Sequence, residues 1–188
     1  MRSLSYLLAA VALVVSLLVL GGTTLYATTL QRLTTDDMVA QSTSIIRAKV
    51  TGSRSQAIGH DVYTYYQIQI TDTLKAGATV VKEVAVPGGV AGNIRQIAIG
   101  SPVLNIGGDY VIFVWTGKSG MSQVIGLSQG LFAVGTNSAG LTVLSRPAIS
   151  DQMLDRQGKP VADQAVTMTL SDLKTAIQKS QARGANQQ

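Results

Sequence analysis

Hydrophobic positions along this chain follow three different rhythms. From Leu4 to Leu20 they run almost without a break, interrupted only by Ser5, Tyr6 and Ser16, and the run closes on Gly21-Gly22. Arg2 precedes it, and the small-residue site Leu25-Tyr26-Ala27 follows. A lone early cation, an apolar stretch and a small-residue end are the parts of a secretory signal, which predicts a signal peptide over 1–27 and cleavage after Ala27. The run from Leu4 to Gly22 is 19 residues long. That is close to the ~20 needed to cross a hydrocarbon core, so an uncleaved leader is expected to stay as an N-terminal membrane anchor with Arg2 on the cytoplasmic side. Either outcome places the remainder outside the cytoplasm: periplasmic, extracellular or on the outer side of the membrane.

After the leader, residues 28–41 read as a linker and a short helix. TTDDMVAQS offers Thr34 or Thr35 as N-cap and sets Asp36 and Asp37 in the first turn, where the helix dipole favours negative charge. Thr28 to Leu33 is expected to be a mobile approach. The period then becomes two. In Ser44–Thr51, Ile46, Ala48 and Val50 alternate with Ile45, Arg47 and Lys49; in Val62–Thr71, Tyr66, Ile68 and Ile70 alternate with Tyr65, Gln67 and Gln69. Gly52–Asp61 is polar and reads as a loop. Val80–Val86 is a further strand stopped at Pro87-Gly88-Gly89, and Asp109–Thr116 is apolar on both faces, as a strand covered on both sides is. Gln123–Ser128 reads as its hairpin partner. Leu131–Gly135 and Leu141–Leu144 form another hairpin around 136–140. Pro147–Ala165 is an irregular excursion. Ser171 caps a helix whose stripe is Leu173, Ala176 and Ile177, and the tail from Ala182 is expected to be disordered.

Short strands, Gly-rich turns and no βαβ rhythm predict an all-β domain over 42–170, a small Greek-key or OB-like barrel spanning about Ser42–Leu144 with short flanking helices at 35–41 and 171–180. The expected core is Ile46, Ala48, Val50, Tyr66, Ile68, Ile70, Val84, Val86, Val111, Phe113, Val114, Ile125, Leu127 and Phe132, with Trp115 also assigned to the interior.

Composition narrows the chemistry. Without residues 1–27 there remain 161 residues, enough for one domain with its own core. Cysteine is absent, which excludes a disulfide scaffold, thiol catalysis and iron–sulfur ligation. The remaining charge is 14 Lys and Arg against 10 Asp and Glu, without the dense clustering of a nucleic-acid binder. Nucleic acid is therefore an unlikely partner; a protein or an envelope polymer is expected instead, with membrane contact only through residues 4–22 if they are kept.

Catalytic constellations fail on inspection. His60, the one histidine, stands beside Asp61 in a polar segment, and no nucleophile elbow accompanies it. Asp36, Asp37, His60 and Asp61 lack the spacing of metal ligands. Gly117-Lys118-Ser119 ends like a phosphate loop, but Ile112 stands where the required glycine would be. No catalytic residue, cofactor or metal is expected. A surface is. If 44–51 and 62–71 pair as a hairpin, the odd positions share the outer face, and Arg47, Lys49, Tyr63, Tyr65, Gln67 and Gln69 lie together as exposed aromatics beside two cations. Such a face stacks on sugars or bases, or grips a partner strand.

The order SIIRAKV, VYTYYQIQITDTLKA, VAVPGG, IGSPVLNIGGDYVIFVW and GLSQGLFAV, over about residues 42–135, is similar to a group of uncharacterised exported bacterial β-barrel proteins. Its first two segments also resemble the opening strands of netrin-like domains and of tissue inhibitors of metalloproteinases, which are OB-type barrels. The resemblance implies the fold. It does not carry over protease inhibition, because the cysteine that grips the protease zinc in those inhibitors is missing. The expected function is an exported, non-enzymatic binding or accessory module of the cell envelope or exterior. The alternatives are a secreted hydrolase using dispersed carboxylates such as Asp61, Asp72 and Asp109, and a membrane-anchored envelope protein of the same fold.

Overall fold

The computed structural model describes residues 29–185, so the leader over 1–27, Thr28 and the last three residues lie outside the described part. The protein is mostly β, with sheets and two helices. Leu30–Gln31 forms a short strand β1, and helix α1 follows over Thr35–Gln41. Long strands β2 (Ser44–Ile58) and β3 (Asp61–Lys75) come next, then β4 (Glu83–Pro87), β5 (Gly89–Ala91) and β6 (Ile94–Gln96). Strands β7 (Asp109–Thr116) and β8 (Ser122–Val124) lead through a 3-10 turn at Leu127–Gly130 into β9 (Leu131–Thr136) and β10 (Thr142–Arg146). The chain ends with β11 (Met153–Leu154), β12 (Pro160–Val161), β13 (Val166–Thr169) and α2 (Leu170–Ala185).

Eight strands form the main sheet in the order β13-β10-β9-β7-β2-β3-β4-β8, and β8 pairs with β7 as well. Antiparallel partners flank β7 on both edges: β2 on one, β9 and β8 in succession on the other. Its side chains accordingly split between two cores. Tyr110, Ile112 and Val114 join Ile46, Ala48, Val50, Val84 and Val86 on one face. Val111 and Phe113 join Ile45, Phe132 and Leu144 on the other, under Met38 and Val39 of α1 and Leu173 and Ile177 of α2. The Phe113 and Phe132 rings meet at 5.7 Å, tilted by 50°.

Both helices start on the same device. Thr34 Oγ1 accepts from the Asp37 amide at 3.1 Å while the Asp37 carboxylate accepts from the Thr34 amide at 3.0 Å, so two otherwise orphaned donors are satisfied reciprocally. Thr169 and Asp172 repeat it, which makes Thr169 and not Ser171 the cap of α2. The C-terminal end of α1 is covered by Lys75, whose Nζ donates to the carbonyls of Val39 at 2.7 Å and Ser42 at 2.6 Å. Burial pushes the Lys75 ammonium below the usual lysine value.

Four expectations need correction. Residues 52–61 are not a loop: β2 and β3 continue to a two-residue turn at Gly59-His60, where His60 is exposed. This outer arm is mostly exposed and polar, with only Gly52 and Ser55 half-buried, so it lacks the apolar alternation that marks a half-buried strand, yet its backbone ladder is complete from Gly52↔Gln67 to Ile58↔Asp61. Thr28 to Leu33 is not a free approach over its described part, since β1 pairs in parallel with β11. The buried Gln129 fixes it further: its Oε1 accepts from the Leu33 amide at 2.8 Å and its Nε2 donates to the Gln31 carbonyl at 2.9 Å. Helix α2 runs on to Ala185, past the point where a disordered tail was expected. Trp115 is 47 % exposed, because it extends the Val111–Phe113 face of β7 beyond the cover that encloses those two residues. Of the other expected core positions, Leu127 is only half-buried, and Tyr66, Ile68 and Ile70 pack at the margin of the first core.

Candidate functional site

One row of side chains crosses five strands on the outer face of the sheet. Arg54 of β2 stands opposite Tyr65 of β3, Tyr65 opposite Ala85 of β4, Ala85 opposite Gln123 of β8, and Gln123 opposite Trp115 of β7. Four strand spacings of ~4.8 Å give it a length of about 19 Å. Its middle is Ala85, the smallest member, and the surface hollows on either side. One hollow is shallow and polar, edged by Tyr65, Lys82, Glu83 and Ser122. The other is a cleft of about 630 Å³, walled by Trp115, Gln123, Pro87, Pro102, Ile125 and Leu127, with Leu30 of β1 and Gln41 of α1 at its rim.

The cleft is held from several directions. The Trp115 ring lies against Gly117, where an added Cβ would sit 2.9 Å from Cη2, so this glycine admits the ring orientation. Leu127 takes a left-handed backbone at φ 57 directly after Gly126 at φ 60. A non-glycine residue there is strained by about 1–2 kcal/mol, held by its surroundings, and such strain concentrates at functional sites. The Leu30 side is fixed by β11 and Gln129. Strand β11 belongs to the excursion after β10, which the buried pair Arg146–Asp163 ties down at 2.5 Å.

Lys49, Gln67, Gln69, Tyr63 and Tyr65 do lie on one face of the hairpin, since Thr51 bulges out of register and Lys49↔Gln69 passes into Gly52↔Gln67 with the odd positions of β3 still outward. Tyr65, however, is 8 % exposed, covered by the Arg54 guanidinium at 4.4 Å from its ring centroid. Arg54 is held in turn by Glu83 at 2.9 Å. Arg47 is not beside the tyrosines. It lies seven positions before Arg54 on β2, roughly 23 Å away at ~3.3 Å per residue, and pairs with Asp109 through Nε at 3.1 Å and Nη2 at 2.7 Å. The cation beside Tyr65 is thus Arg54, from the segment read as a loop.

Asp109 and Asp72 flank Arg47, the first as its ion-pair partner and the second as its cross-strand neighbour, which Lys174 also engages at 3.0 Å; Asp61 sits apart at the hairpin end, so the three carboxylates are not gathered. None of them lines the Trp115 cleft. Among the described residues no group of three or more His, Asp or Glu is placed to hold a metal ion. Sequence reasoning missed Trp115, Gln123 and Gln129. The one available signal was parity: Trp115 is out of phase with Val114 and stands two residues before a Gly-Lys-Ser turn, at the end of its strand.

No protein-family model and no curated protein matches this chain.

Proposed function

We propose that the chain is an exported, non-enzymatic binding module of the cell envelope or exterior, which holds an apolar part of a partner protein or envelope polymer in the Trp115 cleft. One observation carries this reading: the cleft is lined by aromatic, aliphatic, proline and amide groups, with no charged or hydroxyl side chain among them. Such a lining selects shape and apolar surface and fixes orientation through the Gln41 and Gln123 amides. It offers no acid, base or nucleophile for a reaction, which disfavours the hydrolase alternative. The return of the pairing order to β7 through the single bridge Ala85↔Gln123 supports a small OB-like or Greek-key barrel, with the cleft at its closing seam. Export is supported by the uncharged run from Leu4 to Gly22, either removed after Ala27 or kept as an anchor.

Trp115 is the only tryptophan, so its emission reports on the cleft alone. Titration with 8-anilinonaphthalene-1-sulfonate is expected to give saturable energy transfer from Trp115 to bound dye, and Trp115→Ala to lower the emission of directly excited dye several-fold without changing the far-UV spectrum. Dye that binds Trp115→Ala as well as the parent chain would overturn the assignment.

A further inference from the structure

Between β5 and β7 the chain exposes a second apolar surface, separate in character from the cleft. Ile94, Ile97, Ile99, Val103 and Ile106 are 52 %, 78 %, 60 %, 76 % and 66 % exposed, five large aliphatic side chains within one short segment. Soluble monomers rarely expose so many large aliphatic side chains in one segment without a partner. The segment is anchored at both ends. Gln96 accepts from the Val62 amide, and Tyr110 Oη accepts from the Asn105 amide at 3.1 Å. Its middle is pinned where the described chain begins: Ser128 Oγ donates to the Gly100 carbonyl at 3.0 Å, and a Cβ on Gly100 would meet the Asp151 carboxylate at 2.7 Å, Leu127 at 3.3 Å and Leu30 at 3.5 Å.

That position identifies what covers it. Leu30 is joined to the uncharged run of 19 residues ending at Gly22 by only seven residues, 23–29. Seven residues reach at most about 25 Å, and 19 helical residues cover roughly 28 Å, close to a ~30 Å hydrocarbon core. A retained leader therefore keeps residues 97–103 within about 25 Å of the membrane it crosses, with exposed aliphatic side chains available to enter the lipid and with Arg95 and Arg32 exposed nearby in sequence to meet anionic headgroups. We infer that segment 94–106 is a lipid-docking surface that seats the domain on the outer leaflet. This rests on the anchored form of the proposed function.

The absence of cysteine makes the test direct. Full-length chains carrying Ile97→Cys, Ile106→Cys or, on the exposed turn between β9 and β10, Ala139→Cys are labelled with a nitrobenzoxadiazole dye. They are then reconstituted into phosphatidylethanolamine–phosphatidylglycerol vesicles with or without nitroxide-bearing lipids. Blue-shifted emission and several-fold stronger nitroxide quenching at 97 and 106 than at 139 is the expected result. Equal weak quenching at all three sites, in chains that resist carbonate extraction, overturns the docking surface and leaves the anchor standing. A blue shift at 97 without nitroxide quenching assigns the surface to a second copy of the chain and overturns lipid docking. Chains that wash off the vesicles overturn the anchored reading together with the docking surface.

Discussion

Asp163→Asn isolates the contact that ties the excursion carrying β11 to the sheet. The Asp163 carboxylate accepts from Arg146 Nη1 at 2.5 Å, from Nη2 at 3.2 Å and from the Ile149 amide at 2.9 Å, and the two side chains are only 2 % and 5 % exposed. Asparagine keeps the shape but turns an amide toward the guanidinium and leaves the Arg146 charge buried without a counter-charge; its Nε already has no partner. Breaking a buried pair on one side costs about 3–5 kcal/mol. In a domain of this size that corresponds to a fall in Tm of roughly 6–20 °C, at ~2–4 °C per kcal/mol. Urea melts at pH 7 followed by far-UV circular dichroism measure the loss. The double variant Arg146→Met, Asp163→Leu should recover part of it, because neither charge then remains to be solvated, while the Ile149 amide still loses its acceptor. Burial by itself would raise the Asp163 carboxyl, but the bonds from Arg146 and Ile149 outweigh it and leave its pKa below the usual value. A carboxylate lowered in the folded state stabilises above the unfolded value of ~3.9, and the contribution is lost as pH falls through the lower folded value. The acid limb of the parent's stability profile should therefore be steeper than that of Asp163→Asn. A loss below about 1 kcal/mol, the range of exposed pairs, would refute the reasoning.

Two further changes test how the elements around the cleft are held. Thr34→Ala removes one half of the capping box on α1 and should cost about 0.5–2 kcal/mol by urea melt, with Thr34→Ser recovering it. Gln129→Ala leaves the Leu33 amide and the Gln31 carbonyl without their partner, at about 1–3 kcal/mol. It should also raise hydrogen exchange at Leu30–Leu33 more than in β7, because β1 keeps only its short pairing with β11.

What the sequence discloses of this fold follows from where one face is apolar and the other is not. The inner half of β2 is legible because Ile46, Ala48 and Val50 alternate with Arg47, Lys49 and Thr51, and the hairpin β9–β10 because two short apolar runs flank the turn-forming Asn137-Ser138-Ala139-Gly140. Strand β7 is legible because it is apolar on both faces. The outer arm from Gly52 to Ile58 is not, since a mostly exposed, polar strand has no apolar period to detect and is held by its backbone partner. The same arm supplies Arg54, so the cation beside Tyr65 was sought at Arg47. Trp115 reads as core because a large aromatic in an apolar strand usually is; its exposure depends on where the cover from the two helices ends, and that is tertiary. The Gln129 contacts span 96 and 98 positions of sequence and leave no local signature.

The central claim is that the Trp115 cleft binds apolar ligands. The most direct measurement is an amide chemical-shift map of the protein titrated with 8-anilinonaphthalene-1-sulfonate. Shifts concentrated at Leu30, Gln41, Ala85–Val86 and Gln123–Leu127, together with the Trp115 indole, are the expected result. Shifts confined to Lys49, Tyr63 and Gln67 on the hairpin face, or spread over the surface without the indole, would contradict it.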